Sequence, residues 1–146
     1  EGFLPVPKRE RRERLDFLQK ETRTMIFYEA PHKLRGTLDD LAGTFGTDRS
    51  VSLCRELTKL HEEIKKTTLG EAVAIYREND PRGEYVLVLA GADPARLAEE
   101  TAPTLEEAVA AARTLQAGGM PPSAAAKQAA AGTPFSKGQI YKELIK

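Results

Sequence analysis

The sequence predicts an α/β sandwich, a mixed sheet flanked by helices, followed by a small three-helix unit. Three observations lead there. Residues 23–29, 51–55 and 84–90 are apolar runs of strand length. Amphipathic or capped helical segments separate them, as a layered α/β arrangement requires. After Gly91 the composition shifts, and three short segments with helix-start signals follow a stretch without period or aromatics. The expected organisation is therefore an α/β domain over residues 1–91, a linker over 92–103 and a helical module over 104–146.

Residues 1–7 read as a linker entering a helix, with Pro7 suited to a first helical turn. Residues 8–21 are helical by pattern, with Leu15, Phe17 and Leu18 as a short apolar stripe among charges. Met25, Ile26, Phe27 and Tyr28 form a continuous run expected to be a buried strand. Pro31 opens a helix whose Leu34, Leu38, Leu41 and Phe45 share one face, and Gly46 closes it. Val51-Ser52-Leu53-Cys54 begins the next strand, and residues 64–69 are a short extended piece. Thr68 and Glu71 have capping-box spacing for a helix through Tyr76. Residues 81–83 form a turn before the strong run Tyr85-Val86-Leu87-Val88-Leu89. Beyond the linker, Thr104 with Glu107 and Ser136 with Gln139 are further capping boxes, and Pro121-Pro122-Ser123 offers a start for an alanine-rich helix. A three-helix unit of this size is helix-turn-helix-like. There are no internal repeats.

Composition bounds the function classes. The chain of 146 residues has 22 basic and 22 acidic residues, so any RNA contact must come from local patches rather than global charge. The one cysteine, Cys54, reads as a buried small hydrophobe; with no pairing partner in the chain, a reducing cytoplasm is expected. No run approaches a membrane span, and no signal peptide is visible. Two histidines and one cysteine, far apart, give no metal-ligand pattern, so no metal is expected.

Two strand ends concentrate the chemistry. FYEAPHKL (residues 27–34) and RELTKLHEE (residues 55–63) each stop an apolar segment abruptly at charged residues. In open α/β sheets ligands bind beyond strand carboxyl ends, and two such ends can line one crevice. The plain alternative is a set of solvated loop charges. Pro31, His32 and Lys33 fall in a first helical turn, whose N–H groups favour an anionic group. Arg55 and Glu56 end a strand, with Lys59, His61 and Glu62 in a loop that would suit an RNA backbone. An Arg55–Glu29 or Arg55–Glu56 ion pair would serve only to fix the loops. The basic segment Lys8-Arg9-Glu10-Arg11-Arg12-Glu13-Arg14 reads as a solvated helix with Glu10–Arg14 pairing.

FYEAPHKL, RELTKLHEE, then TLGE (residues 68–71) and GEYVLVLAG (residues 83–91) resemble the second half of the ribosomal RNA small subunit methyltransferase I family. That family is a branch of the tetrapyrrole-methylase-like S-adenosylmethionine methyltransferases, and the resemblance runs from about Phe3 to the C-terminus. It implies the C-terminal domain of the tetrapyrrole methylase fold and S-adenosylmethionine as cofactor. It also implies methyl transfer to the ribose 2′-oxygen of a cytidine in 16S ribosomal RNA. A 2′-hydroxyl is a weak nucleophile, so the reaction needs in-line alignment and help in removing the proton. Glu29, His32 and His61 are the candidate bases. The resemblance assigns Tyr28, Glu29, Ala30, Arg55 and Glu56 to the cofactor side, Glu29 suiting the ribose diol. Lys33, Lys59, Lys137 and Lys142 are the candidate RNA contacts.

In that family the cofactor sits between two domains, and the glycine- and proline-rich motifs of the first are absent from this sequence. The chain also does not begin with Met. The expectation is a C-terminal piece that is inactive alone and is partnered by its own N-terminal domain, the small ribosomal subunit and a possible second copy. Two other classes stay open: a tetrapyrrole-type small-molecule methylase, and a non-catalytic RNA-binding or dimerisation module.

Overall fold

The computed structural model describes residues 1–146, which divide into two compact units, residues 1–94 and 95–146. The chain order is α1 (Lys8–Leu18), β1 (Met25–Glu29), α2 (Pro31–Phe45), β2 (Ser50–Arg55), β3 (Glu63–Thr68), α3 (Leu69–Glu78) and β4 (Tyr85–Leu89). Then follow α4 (Pro94–Thr101), α5 (Leu105–Ala117), α6 (Pro122–Ala130) and α7 (Lys137–Leu144). No helix is long and apolar enough to cross a membrane.

The α/β class holds, and the three expected strands lie in one sheet of order β1-β4-β2-β3. All three ladders are antiparallel, where a mixed sheet was expected; the parallel component is a single bridge from Gly2 to Phe27. That bridge closes the outer edge of β1: Gly2 N–H donates to Ile26 O and Tyr28 N–H donates to Gly2 O. The fourth strand, β3, occupies the other edge, where Lys65 and Lys66 are solvent-exposed, as an unpaired edge favours.

β1 and β2 are not neighbours. β4 lies between them and opposes both, with Glu29 and Arg55 each level with Tyr85. Two strands antiparallel to the same third strand run in the same direction, so their carboxyl ends share one rim. Their separation is two strand spacings, roughly 10 Å, rather than one.

The register assigns the faces. Met25, Phe27 and Glu29 on β1 are buried, while Ile26 and Tyr28 are 45% and 47% exposed. The run is thus a one-faced strand rather than one buried on both sides. Phe27, Leu53, Leu87 and Leu89 meet Leu34, Leu38 and Leu41 of α2 and Leu15 and Leu18 of α1 in a single core. Full burial of each such side chain contributes about 1.5–3 kcal/mol. Pro31 occupies the first turn of α2, and Gly46 ends it at φ 92°, in a left-handed region that favours glycine.

The second unit packs α5, α6 and α7 around Ala108, Val109, Ala112, Ala125, Ala126 and Ile140. Both expected capping boxes form there, Thr104 with Glu107 and Ser136 with Gln139. Ser123 does not cap α6; Pro121 precedes the helix and Pro122 opens it. Within residues 92–103, expected to be a linker, α4 forms instead. A proline at its start, good helix formers and an Arg96–Glu100 pair one turn apart stabilise it, although it buries no residue.

Candidate functional site

Glu29 is the last residue of β1 and is 5% exposed. Its Oε1 accepts the N–H of Ala30 (2.9 Å) and its Oε2 accepts the hydroxyl of Thr37 (2.6 Å). Thr37 Oγ1 in turn accepts Arg11 Nη2 (2.8 Å), while Arg11 Nε binds Asp40 Oδ2 (2.7 Å). A carboxylate leaves water at high cost unless it is hydrogen-bonded and compensated, and this relay from α1 through α2 supplies both. Arg11 and Thr37 were missed by sequence reasoning. Thr37 did leave a signal, since a hydroxyl sits in the apolar stripe of α2 beside Leu34 and Leu38. Arg11 left none among its basic neighbours. The expected Glu10–Arg14 pairing on α1 gives way to Arg9–Glu13 at 2.9 Å, and Arg14 turns to Glu1.

Glu29 stands between two grooves. The larger, about 500 Å³, is lined by Phe3, Lys8, Arg11, His32, Lys33 and Asp40 among others. The smaller, about 250 Å³, is lined by Phe3, Tyr28, Glu29, Ala30, Glu84, Tyr85 and Val86. The Phe3 ring meets Tyr28 edge-on at 5.6 Å and so belongs to both walls. Small-molecule sites typically occupy about 300–1,000 Å³, so the smaller groove alone is a partial enclosure.

Arg55 lies in the same row as Glu29 and Tyr85 but lines neither groove. It pairs with Glu63 (3.1 Å) rather than with Glu29 or Glu56. The reason is register: Glu63 is directly opposite Arg55 on β3. Arg55 Nε is buried without a hydrogen-bond partner. Behind it Tyr76 meets Tyr85 at 5.8 Å, edge to face, and burial followed by the hydrogen bond to Tyr85 pushes the Tyr76 phenol far above its ordinary range.

Glu56 and Thr58 both have positive φ, 52° and 64°. Such backbone costs on the order of 1–3 kcal/mol per residue and persists only where neighbours enforce it. Glu56 Oε1 accepts Glu84 N–H (2.7 Å), and Lys59 Nζ reaches Glu56 (2.9 Å) and Glu84 (3.0 Å). The hydrogen bond from Lys59, then that from Glu84 N–H, holds the Glu56 carboxyl below its usual range. The Glu56 carboxylate, then the Glu84 carboxylate, raises Lys59 in turn. His61 is on the exposed part of this loop, outside both grooves, and Leu60 beside it is 92% exposed. Cys54 is buried, and burial pushes its thiol up, the setting of an inert cysteine. Lys137 opens α7 and Lys142 lies in its last turn, both exposed on the second unit.

Comparison with known proteins gives these residues a setting. A family model described as Tetrapyrrole (Corrin/Porphyrin) Methylases matches residues 2–73. The Ribosomal RNA small subunit methyltransferase I of Synechocystis sp. is 42% identical over 142 residues, covering 97% of this chain and 50% of that protein. Its namesake from Halalkalibacterium halodurans is 48% identical over 90 residues, 62% of this chain and 31% of that protein. A solved cobalamin biosynthetic enzyme, cobalt precorrin-4 methyltransferase, is 17% identical with a TM-score of 0.43, covering 62% of this chain and 40% of that one. The chain spans about half the length of the curated relatives it matches over nearly its full extent. Residues 2–73, within the first unit, thus carry the match to the tetrapyrrole (corrin/porphyrin) methylase family, and the identities extend the likeness to nearly the whole chain.

Proposed function

We propose that the chain is the substrate-side part of an S-adenosylmethionine-dependent ribosomal RNA methyltransferase. Its reaction is transfer of the methyl group to the ribose 2′-oxygen of a cytidine in 16S ribosomal RNA. The observation that carries this reading is the 42% identity with a relative of that name over 97% of the chain. S-adenosylmethionine would supply an electrophilic methyl group on a sulfonium. The donor set fits one wall of a site for it. Glu29 is fixed by Thr37 and Ala30 and keeps lone pairs for a ribose diol, and the ring of Tyr28 and the backbone of Ala30 flank it. The other wall would come from the half of the protein that the relatives possess beyond this match.

Of the three candidate bases, Glu29 is given to the ribose diol and His61 lies outside both grooves, so we assign the role to His32, which lines the larger groove. An imidazole nitrogen can take the 2′-hydroxyl proton as the oxygen gains the methyl group. Lys33 beside it, and Lys137 and Lys142 on α7, are offered as phosphate contacts.

The test is a chain of the relatives' full length, incubated with tritiated S-adenosylmethionine and small ribosomal subunits. We expect label in 16S ribosomal RNA and an alkali-resistant linkage at one cytidine, since 2′-O-methylation blocks backbone hydrolysis. Label in a small tetrapyrrole, or none in RNA, would overturn the reading. His32→Ala should lower the rate constant with little change in cofactor affinity.

A further inference from the structure

We infer that Glu56, Lys59 and the Gly83–Glu84 turn form a clasp whose task is to position Arg55 on the rim, rather than to touch cofactor or RNA. The inference deepens the methyltransferase reading, on which it rests only for the use made of the rim.

Five contacts converge on two backbone segments. Glu56 N–H donates to Glu84 O (3.0 Å), and Glu84 N–H donates to Glu56 Oε1 (2.7 Å). Lys59 N–H donates to Glu56 O (3.0 Å), while its ammonium bridges the Glu56 and Glu84 carboxylates. Together they carry the β2–β4 pairing one residue beyond Arg55–Tyr85, the last pair of the ladder. Gly83 makes this possible. At φ +76°, a Cβ there would stand 2.2 Å from Glu56 Oε1 and 2.8 Å from its Cδ and Cγ, so any side chain would evict the carboxylate.

The charges oppose a phosphate contact. Two carboxylates around one ammonium leave the clasp with a net negative charge, and Lys59 is already shared between both. What the clasp does hold is the residue next to it. Arg55 reaches Glu63 through Nη2 while its Nε stays buried without an acceptor. A buried, unpaired donor tends to return to water unless the backbone carrying it is fixed. The left-handed Glu56 and Thr58, pinned by the clasp, fix it.

The test follows the Arg55 Nε–H signal by nitrogen-15 NMR in the 146-residue chain, identified by its loss in Arg55→Lys. We expect Lys59→Met and Gly83→Ala each to speed solvent exchange of that proton and of the Glu84 amide by about ten-fold or more. Amide dispersion elsewhere should be retained, and Lys59→Arg should restore slow exchange. A clasp that merely stabilised the fold would lower the melting temperature and leave the Arg55 signal of the folded variant unchanged; that result would overturn the inference. Should Gly83→Ala not fold, Glu84→Gln, which weakens only the outer carboxylate, carries the same expectation. Failure of the methyltransferase reading would appear as absent RNA methylation and would leave these exchange rates as they are.

Discussion

Glu29 shows how much one buried carboxylate demands of its neighbours. Thr37 donates to it and receives from Arg11, so the loss of Thr37 breaks both contacts at once. Thr37→Val keeps the shape and removes the hydroxyl. It leaves Glu29 short of a donor at a cost of about 1–3 kcal/mol, which urea denaturation would measure. Arg11→Met should cost a similar amount, and the double variant should fall short of the sum because the two losses share one relay. A second carboxylate behaves differently. Glu21 is held down to about 2, first by the Arg23 side chain and then by the Arg23 N–H. A depressed acid contributes stability above its unfolded value of 4.5 and loses it as pH falls toward 2. We therefore expect a shallow acid limb in that window, flattened in Glu21→Gln. Its amplitude should be small and salt-sensitive, since exposed pairs contribute little.

At the scale of elements, the loop after α1 is packed against the exit of β4 with no room to spare. Ala92 N–H donates to Glu21 O (2.7 Å), and a Cβ on Gly91 would lie 2.1 Å from Thr22 O and 2.6 Å from Arg23 O. Because backbone cannot swing aside as a side chain can, Gly91→Ala should destabilise by about 1–3 kcal/mol or more, read as a lower urea midpoint. Strands β1, β2 and β4 were legible because their Val, Leu and Phe residues must be buried wherever the strand is placed. β3 was legible only as an extended piece, since an edge strand reading Glu-Ile-Lys-Lys-Thr-Thr carries no apolar alternation. α4 was not legible at all, because its one large apolar side chain, Leu97, makes no repeat and the helix buries no residue. The insertion of β4 between β1 and β2 depends on pairings 30 to 64 residues apart, which no local pattern encodes. The site divides the same way. FYEAPHKL marked the grooves, whereas the partners of Glu56 and Lys59 depended on a glycine turn far along the chain.

At the scale of the whole chain, the two units have cores of different kinds. The first buries Phe27, Tyr85 and many leucines, the second mainly alanines with Val109 and Ile140. Alanine packing brings helices close but removes little apolar area, so residues 95–146 should lose their amide signals first on heating. Loss of both sets at one temperature would show that the units unfold as one.

The same division of labour bears on the cofactor. A 250 Å³ groove with Glu29, Tyr28 and Ala30 on one side encloses too little of a ligand to hold it tightly. Calorimetry of the 146-residue chain with S-adenosylmethionine should give a Kd weaker than about 1 mM, a binding free energy of about −4 kcal/mol or less in magnitude. In a chain of the relatives' length the affinity should rise, and Glu29→Ala should then reduce it. Lys137→Ala and Lys142→Ala should instead lower RNA affinity and reduce the log–log salt slope by about 0.7–0.9 per lost phosphate contact. Micromolar binding by the 146 residues alone would mean that the pocket is complete within them and that the cofactor needs no second wall.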